Sequence, residues 1–300
     1  LWILSGFTTI LFIGRLVIRG CHLKRFQLDD VLCAFAWFFM IVAIVLATLM
    51  APLSYHYTAV LTKEAPMPPR PKYVDMNITL RKWDVASQTF FWTSLSCVKC
   101  SFMHIDRLFG HTSGGNYVKA WYAALIYVLI SYGICLLGVF GQCGAVHNLF
   151  SVEQCATPYS KALNAKLIWV VYFFNVTSDL IIILLPMCII WRLGFHMRQK
   201  LFVGFICSLA LTTIIFETIR SVKRYQTSFY LTKLYCYLEL LITVCISMLP
   251  PYGHMISQFL NIHQPTSSCQ PTRNRGHGLS TTESTEGFNL PLEPFSKSSQ

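Results

Sequence analysis

Charge is scarce in this chain. Asp, Glu, Lys and Arg make up 12% of its 300 residues, whereas a soluble globular domain carries about 25%. Soluble helices keep a charged face, and the long apolar stretches here have none, which argues against a soluble all-helical domain. Acidic residues are the scarcer sign: 13 Asp and Glu stand against 24 Lys and Arg, a net charge of +11. In a soluble domain that balance suggests nucleic acid. Here the basic residues sit beside the ends of apolar runs, so the expected partner is the lipid bilayer and its head groups, with no nucleic acid.

Other absences narrow the chemistry. The chain has no phosphate-binding glycine loop and no Ser/His/Asp pattern. His104, His147 and His254 fall near the ends of apolar runs, without HxxxH spacing. The expectation is a protein that is not an enzyme and needs no cofactor or metal. Cysteine is not scarce, with 12 residues, but most lie inside apolar runs and read as small hydrophobes. Cys97 and Cys100 have CxxC spacing without a second pair, and packing is the preferred reading.

What is present is seven apolar stretches: Leu1–Ile18, Val31–Met50, Asp84–Met103, Trp121–Gly141, Leu167–Trp191, Leu201–Ile219 and Leu234–Phe259. A spanning helix needs roughly 20 mostly apolar residues. A closed barrel would instead show alternating strands of about 10 residues, and these runs are continuous. The fold class is therefore all-α, a seven-transmembrane helix bundle over residues 1–260. Residues 261–300, rich in Ser, Thr, Pro and Gly, are expected to form a disordered cytoplasmic tail. The chain opens on Leu1 inside an apolar run, so the natural N-terminus is expected upstream.

Orientation follows from the connections. Raw counts of Lys and Arg on the two sides tie, but one set of loops is shorter and denser in them, which favours it as cytoplasmic. Asn77-Ile78-Thr79 is a glycosylation sequon in the opposite set. Cys143 and Cys155 share one loop of that same set, the side expected to be oxidising. The start of the third span, near Trp83–Ala86, has no Cys, and Cys97 and Cys100 lie about three turns deeper, beyond disulfide reach. A local Cys143–Cys155 bridge is expected. The N-terminus is placed outside and the tail inside, in a multi-pass protein of the plasma membrane.

A few charges fall at membrane depth, where an ionised Asp or Arg costs about 2.5–3.5 kcal/mol on insertion scales. Asp179 lies mid-span in the fifth helix, Glu217 and Arg220 end the sixth, and Glu239 lies in the seventh. Asn175 and Asp179 are four apart and share a helix face. Glu217 and Arg220 are three apart and can pair. These residues are expected to face the bundle interior, either as an interhelical lock or as a switch or ligand site. Lys99, near the inner end of the third span, is read as snorkelling, with Asp29 or Asp30 as the alternative partner. Asp29 and Asp30 suit a helix N-terminus, or else a signalling role. Around Arg107, His104-Ile105-Asp106-Arg107 is read as ordinary loop.

The ordered set of these residues resembles the fungal rhodopsin-like domain family of seven-helix, receptor-like membrane proteins. The set runs from Arg15, Arg19 and Leu28-Asp29-Asp30 through Lys99, Ser101 and Arg107-Leu108-Phe109 to Cys143 and Cys155. It continues through Asp179, Pro186, Leu193, Lys200, Phe202, Gly204, Arg220 and Glu239 to Leu249-Pro250. The likeness covers about Phe7–Met255. Gly144-Ala145 stands where the loop usually carries Pro, and Leu249-Pro250-Pro251 has an extra Pro. The resemblance implies a receptor-like protein sensing an extracellular or membrane-borne cue, with an unidentified ligand and a cytoplasmic signalling partner. Retinal is not expected: no Lys occurs between Leu234 and Phe259, and Lys233 is read as edge-facing. A small-molecule transporter or channel, and a non-signalling structural membrane protein, stay open.

Overall fold

The computed structural model describes residues 1–23, 27–61, 66, 69–110, 114–144, 149–150, 155, 157–193, 204, 211–222, 224 and 229–252. The tail, His147, His254 and most of the first half of the sixth span lie outside the described residues. Helix occupies each of the seven expected spans: α1 Trp2–Val17, α2 Leu28–Leu61, α3 Arg70–Gly110, α4 Gly114–Phe140, α5 Pro158–Leu193, α6 over 211–222, and α7 Phe229–Met248. Strand is absent among the described residues. Among the described residues, five segments are long and apolar enough to cross a membrane: Trp2–Cys21, Leu28–Val60, Tyr117–Phe140, Pro158–Met187 and Thr232–Tyr252. The bundle is helical because lipid leaves backbone groups no other partner.

α3 is the axis of the bundle, packing against α2, α4, α5 and α7. It is less apolar than its neighbours because it carries nine charged residues, of which Lys99 and Asp106 are buried and Arg81 and Asp84 half-buried. The core around it joins Met40 and Ile44 of α2, Phe91, Leu95 and Val98 of α3, and Leu240, Leu241 and Val244 of α7. Large apolar side chains also cover the outside: Ile3, Ile10, Leu137 and Phe173 are among the most exposed. That inversion suits a hydrocarbon solvent.

The helices overrun the expected spans. The loop expected over Ala51–Trp83 is largely helical, because α2 continues to Leu61 and α3 begins at Arg70. The extension is held by packing: Tyr57 stacks on Tyr73 with ring centroids 6.2 Å apart, and Val60 and Leu80 are buried. The sequon residue Asn77 therefore sits on a helix, where its Nδ2 donates to the Tyr73 carbonyl at 2.9 Å. Residues 104–110 likewise continue α3, a correction to their reading as loop. Gly14 admits Tyr252, whose hydroxyl donates to the Leu11 carbonyl at 2.8 Å; a Cβ at Gly14 would overlap that hydroxyl.

Candidate functional site

Among the described residues, most buried charged side chains belong to two networks, and a cavity adjoins the second. The first network lies where the C-terminal end of α1 meets the start of α2. Arg15, fully buried, ion-pairs with Asp29 and Asp30, and its Nη1 donates to the Ser247 carbonyl on α7 at 2.6 Å. Arg19 reaches the same two carboxylates at 3.5 and 3.3 Å. The Ser101 hydroxyl on α3 donates to Asp29. Asp30 also accepts from the Gln27 backbone N–H at 3.1 Å, the backward half of a capping box. Capping is thus one part of Asp30's work, and ion pairing across helices is the other. Two arginines meet two aspartates, so this network is electrically closed.

The second network runs through the middle. Lys99 on α3 lies 2.8 Å from Asp179 on α5, and donates to Asn175 Oδ1 at 2.7 Å and Ser178 Oγ at 2.6 Å. It is buried, so the snorkelling reading is corrected, as is the alternative pairing with Asp29 or Asp30. The α5 carboxylate lies at its own depth, whereas Asp29 and Asp30 are already held by Arg15. Asn175 turns its Nδ2 to Glu217 on α6. Glu217 is 3.8 Å from Arg220, and Arg220 is 3.3 Å from Glu239 on α7. The Arg220 guanidinium lies over Phe91 and Trp92 at 5.0 and 4.9 Å, a cation–π seat that limits its desolvation cost. Asp179, Lys99, Asn175, Glu217, Arg220 and Glu239 thus form one chain across α3, α5, α6 and α7.

A cavity of about 370 Å³ opens above this chain, at the end of the bundle that carries Cys143. Its charged lining is Arg81, Asp84, Arg220, Arg224 and Lys233, and its aromatic lining is Tyr57, Phe91, Trp92 and Tyr237. Lys233 does not face the membrane edge: it ion-pairs with Asp84 on α3, which corrects that reading. Arg81 donates to the Cys143 sulfur at 2.8 Å. Cys143 and Cys155 are disulfide-bonded, with Cα atoms 4.9 Å apart. A second void of about 30 Å³, with room for about one water, also reaches Arg220 and Arg224.

The fungal rhodopsin domain matches residues 14–250. The chain belongs to that family. No curated protein and no solved structure matches it. The matched segment runs from the turn of α1 beside Arg15 to the start of the final helical turn at Pro250, so both polar networks and the cavity fall within it.

Arg107, expected from sequence at the inner face, lies over Trp121 and Tyr122 of α4 at 4.9 and 5.8 Å, outside both networks. Sequence reasoning missed several participants, Ser178 and the cavity residues Arg81 and Arg224 among them. Asp84 and Lys233 each stood at the edge of an apolar run, and Ser247 contributes only a backbone carbonyl. The first two carried a usable signal, since each is a charge within a turn of a span boundary.

Proposed function

We propose that this membrane protein is receptor-like: the cavity takes a cue from outside, and the buried charge chain carries its arrival to the opposite end. One observation carries the reading. Arg220 belongs to both structures, since it lines the cavity and holds Glu217 and Glu239. A ligand that engages Arg220 competes with those carboxylates, and through Asn175 the competition reaches the Lys99–Asp179 pair. The ligand shifts the bundle only by as much as it prefers one arrangement over the other.

In this reading the protein is no enzyme. The N-terminus is outside, the tail is cytoplasmic and the membrane is the plasma membrane, for the reasons of loop charge, sequon and disulfide given above. A cytoplasmic partner reads the end that carries Asp29, Asp30 and Arg107. The cue acts without retinal, because α7 has no Lys beyond Lys233, which is engaged by Asp84. Purified protein mixed with all-trans-retinal gives no red-shifted Schiff-base band and no borohydride-trapped adduct; either one overturns that part.

The sensing role is tested in plasma-membrane fractions. Nucleotide exchange on added G protein rises with ligand, and Arg220→Gln abolishes the rise at unchanged surface expression. Ligand flux across proteoliposomes without any exchange response would favour a transporter instead.

A further inference from the structure

The charges around the cavity do not balance. Arg220 is answered by Glu217 and Glu239 from behind, and Lys233 is answered by Asp84. Arg81 and Arg224 remain. Among the described residues, no carboxylate lies within ion-pair distance of either, and the acceptor that Arg81 reaches is the disulfide sulfur of Cys143. Asp84 attracts both arginines from beyond ion-pair distance while it is paired to Lys233, and Arg224 also feels the positive fields of Arg220 and Arg81. Among the described residues, four cations thus face three carboxylates at one half-buried site, with one positive charge left over. Such an arrangement is costly unless an anion completes it.

The rest of the wall suits more than a bare ion. Phe91, Trp92, Tyr57 and Tyr237 offer aromatic surface, and Asn77, Gln88, Gln142 and Asn164 offer amides. The volume, about 370 Å³, lies within the range of small-molecule sites. Guanidinium groups bind carboxylate and phosphate through paired N–H donors.

We infer that this cavity binds an organic anion, with its acidic group on Arg81 and Arg224 and its apolar body on the aromatic wall. The inference rests on the receptor reading for its purpose, but not for its chemistry. The acidic group has two sources: a soluble carboxylate or phosphate, or the head group of an anionic lipid entering from the bilayer.

The test uses the full chain in phosphatidylcholine nanodiscs with three probes of one shape: 2-naphthoate, neutral 2-naphthamide and cationic 2-naphthylmethylammonium. Binding is read by tryptophan quenching and by the thermal shift. Naphthoate binds saturably, and the amide and the ammonium bind about tenfold or more weakly. Arg224→Gln and Arg81→Gln each weaken naphthoate by about tenfold, while Lys72→Gln, on an exposed face, does not. Arg224→Lys, which keeps charge but loses the fork, falls between and covers the case in which Arg81→Gln fails to fold. Nanodiscs with phosphatidylserine settle the source: displacement of naphthoate by this lipid, lost in the same variants, supports the site with a lipid occupant. Equal binding of the three probes, or naphthoate binding untouched in both Arg224 variants, overturns the anion site. Charge-selective binding that leaves nucleotide exchange unchanged supports the site and overturns the sensing role instead.

Discussion

The Lys99 ammonium on α3 and the Asp179 carboxylate on α5 stand 2.8 Å apart inside the bundle. Ser178 donates its own proton to the Asn175 carbonyl at 2.6 Å, so its remaining lone pairs face Lys99. The ammonium is thereby surrounded by acceptors, and Asp179 is the only one of them that is charged.

This pair sets the first prediction. Removing one partner strands the other, at a cost of about 3–5 kcal/mol for a buried pair. Asp179→Leu and Lys99→Met each lower thermal stability in detergent markedly. The double variant recovers much of the loss, since two apolar groups replace both charges. Losses that simply add in the double variant would show that the two side chains do not interact. Asp179→Asn separates the roles: normal expression with altered signalling marks a switch, and impaired folding marks a lock.

Arg15 gives the second. Its fork serves Asp29, Asp30 and the Ser247 carbonyl together, which a lysine does not reproduce. Arg15→Lys and Arg15→Ala both reduce the folded fraction seen by fluorescence-detected size exclusion, the alanine change more. Wild-type levels of folded Arg15→Ala would remove this network from the account of stability.

The third concerns the loop after α4. Cys143 and Cys155 are 12 residues apart in sequence, and closing a loop of this size contributes about 3 kcal/mol. Non-reducing peptide mapping recovers the linked pair, and Cys143→Ser lowers the melting temperature. Free thiols at both positions in secretory-pathway protein would contradict the bridge. Because Arg81 contacts the Cys143 sulfur, Cys143→Ser also shifts naphthoate affinity, by less than Arg81→Gln does.

The fourth is topological. A protease tag fused after Gln300 stays protected in sealed right-side-out vesicles, and glycosidase treatment shifts the mobility of the wild type but not of Asn77→Gln. Cleavage from outside reverses the orientation, and with it the side from which the cavity is filled.

Sequence by itself determined the solvent and the element type. Lipid demands long apolar runs and internally satisfied backbones, and both are local properties that any window of 20 residues displays. It also marked Asp179, Glu217, Arg220 and Glu239 as interior, because a charge at that depth has few stable alternatives. Tertiary structure decided the pairings. Lys233 and Asp84 are 149 residues apart, and no local pattern states that α7 brings one against the other. Lys99 looked able to snorkel because its stem length fits that role; the packing of α3 on α5 gave it a nearer carboxylate. The cavity is more remote still from the sequence, since its walls come from α2, α3, α5, α6 and α7 and from the segment after α4, and its surplus charge exists only once Asp84, Glu217 and Glu239 have been assigned to other cations.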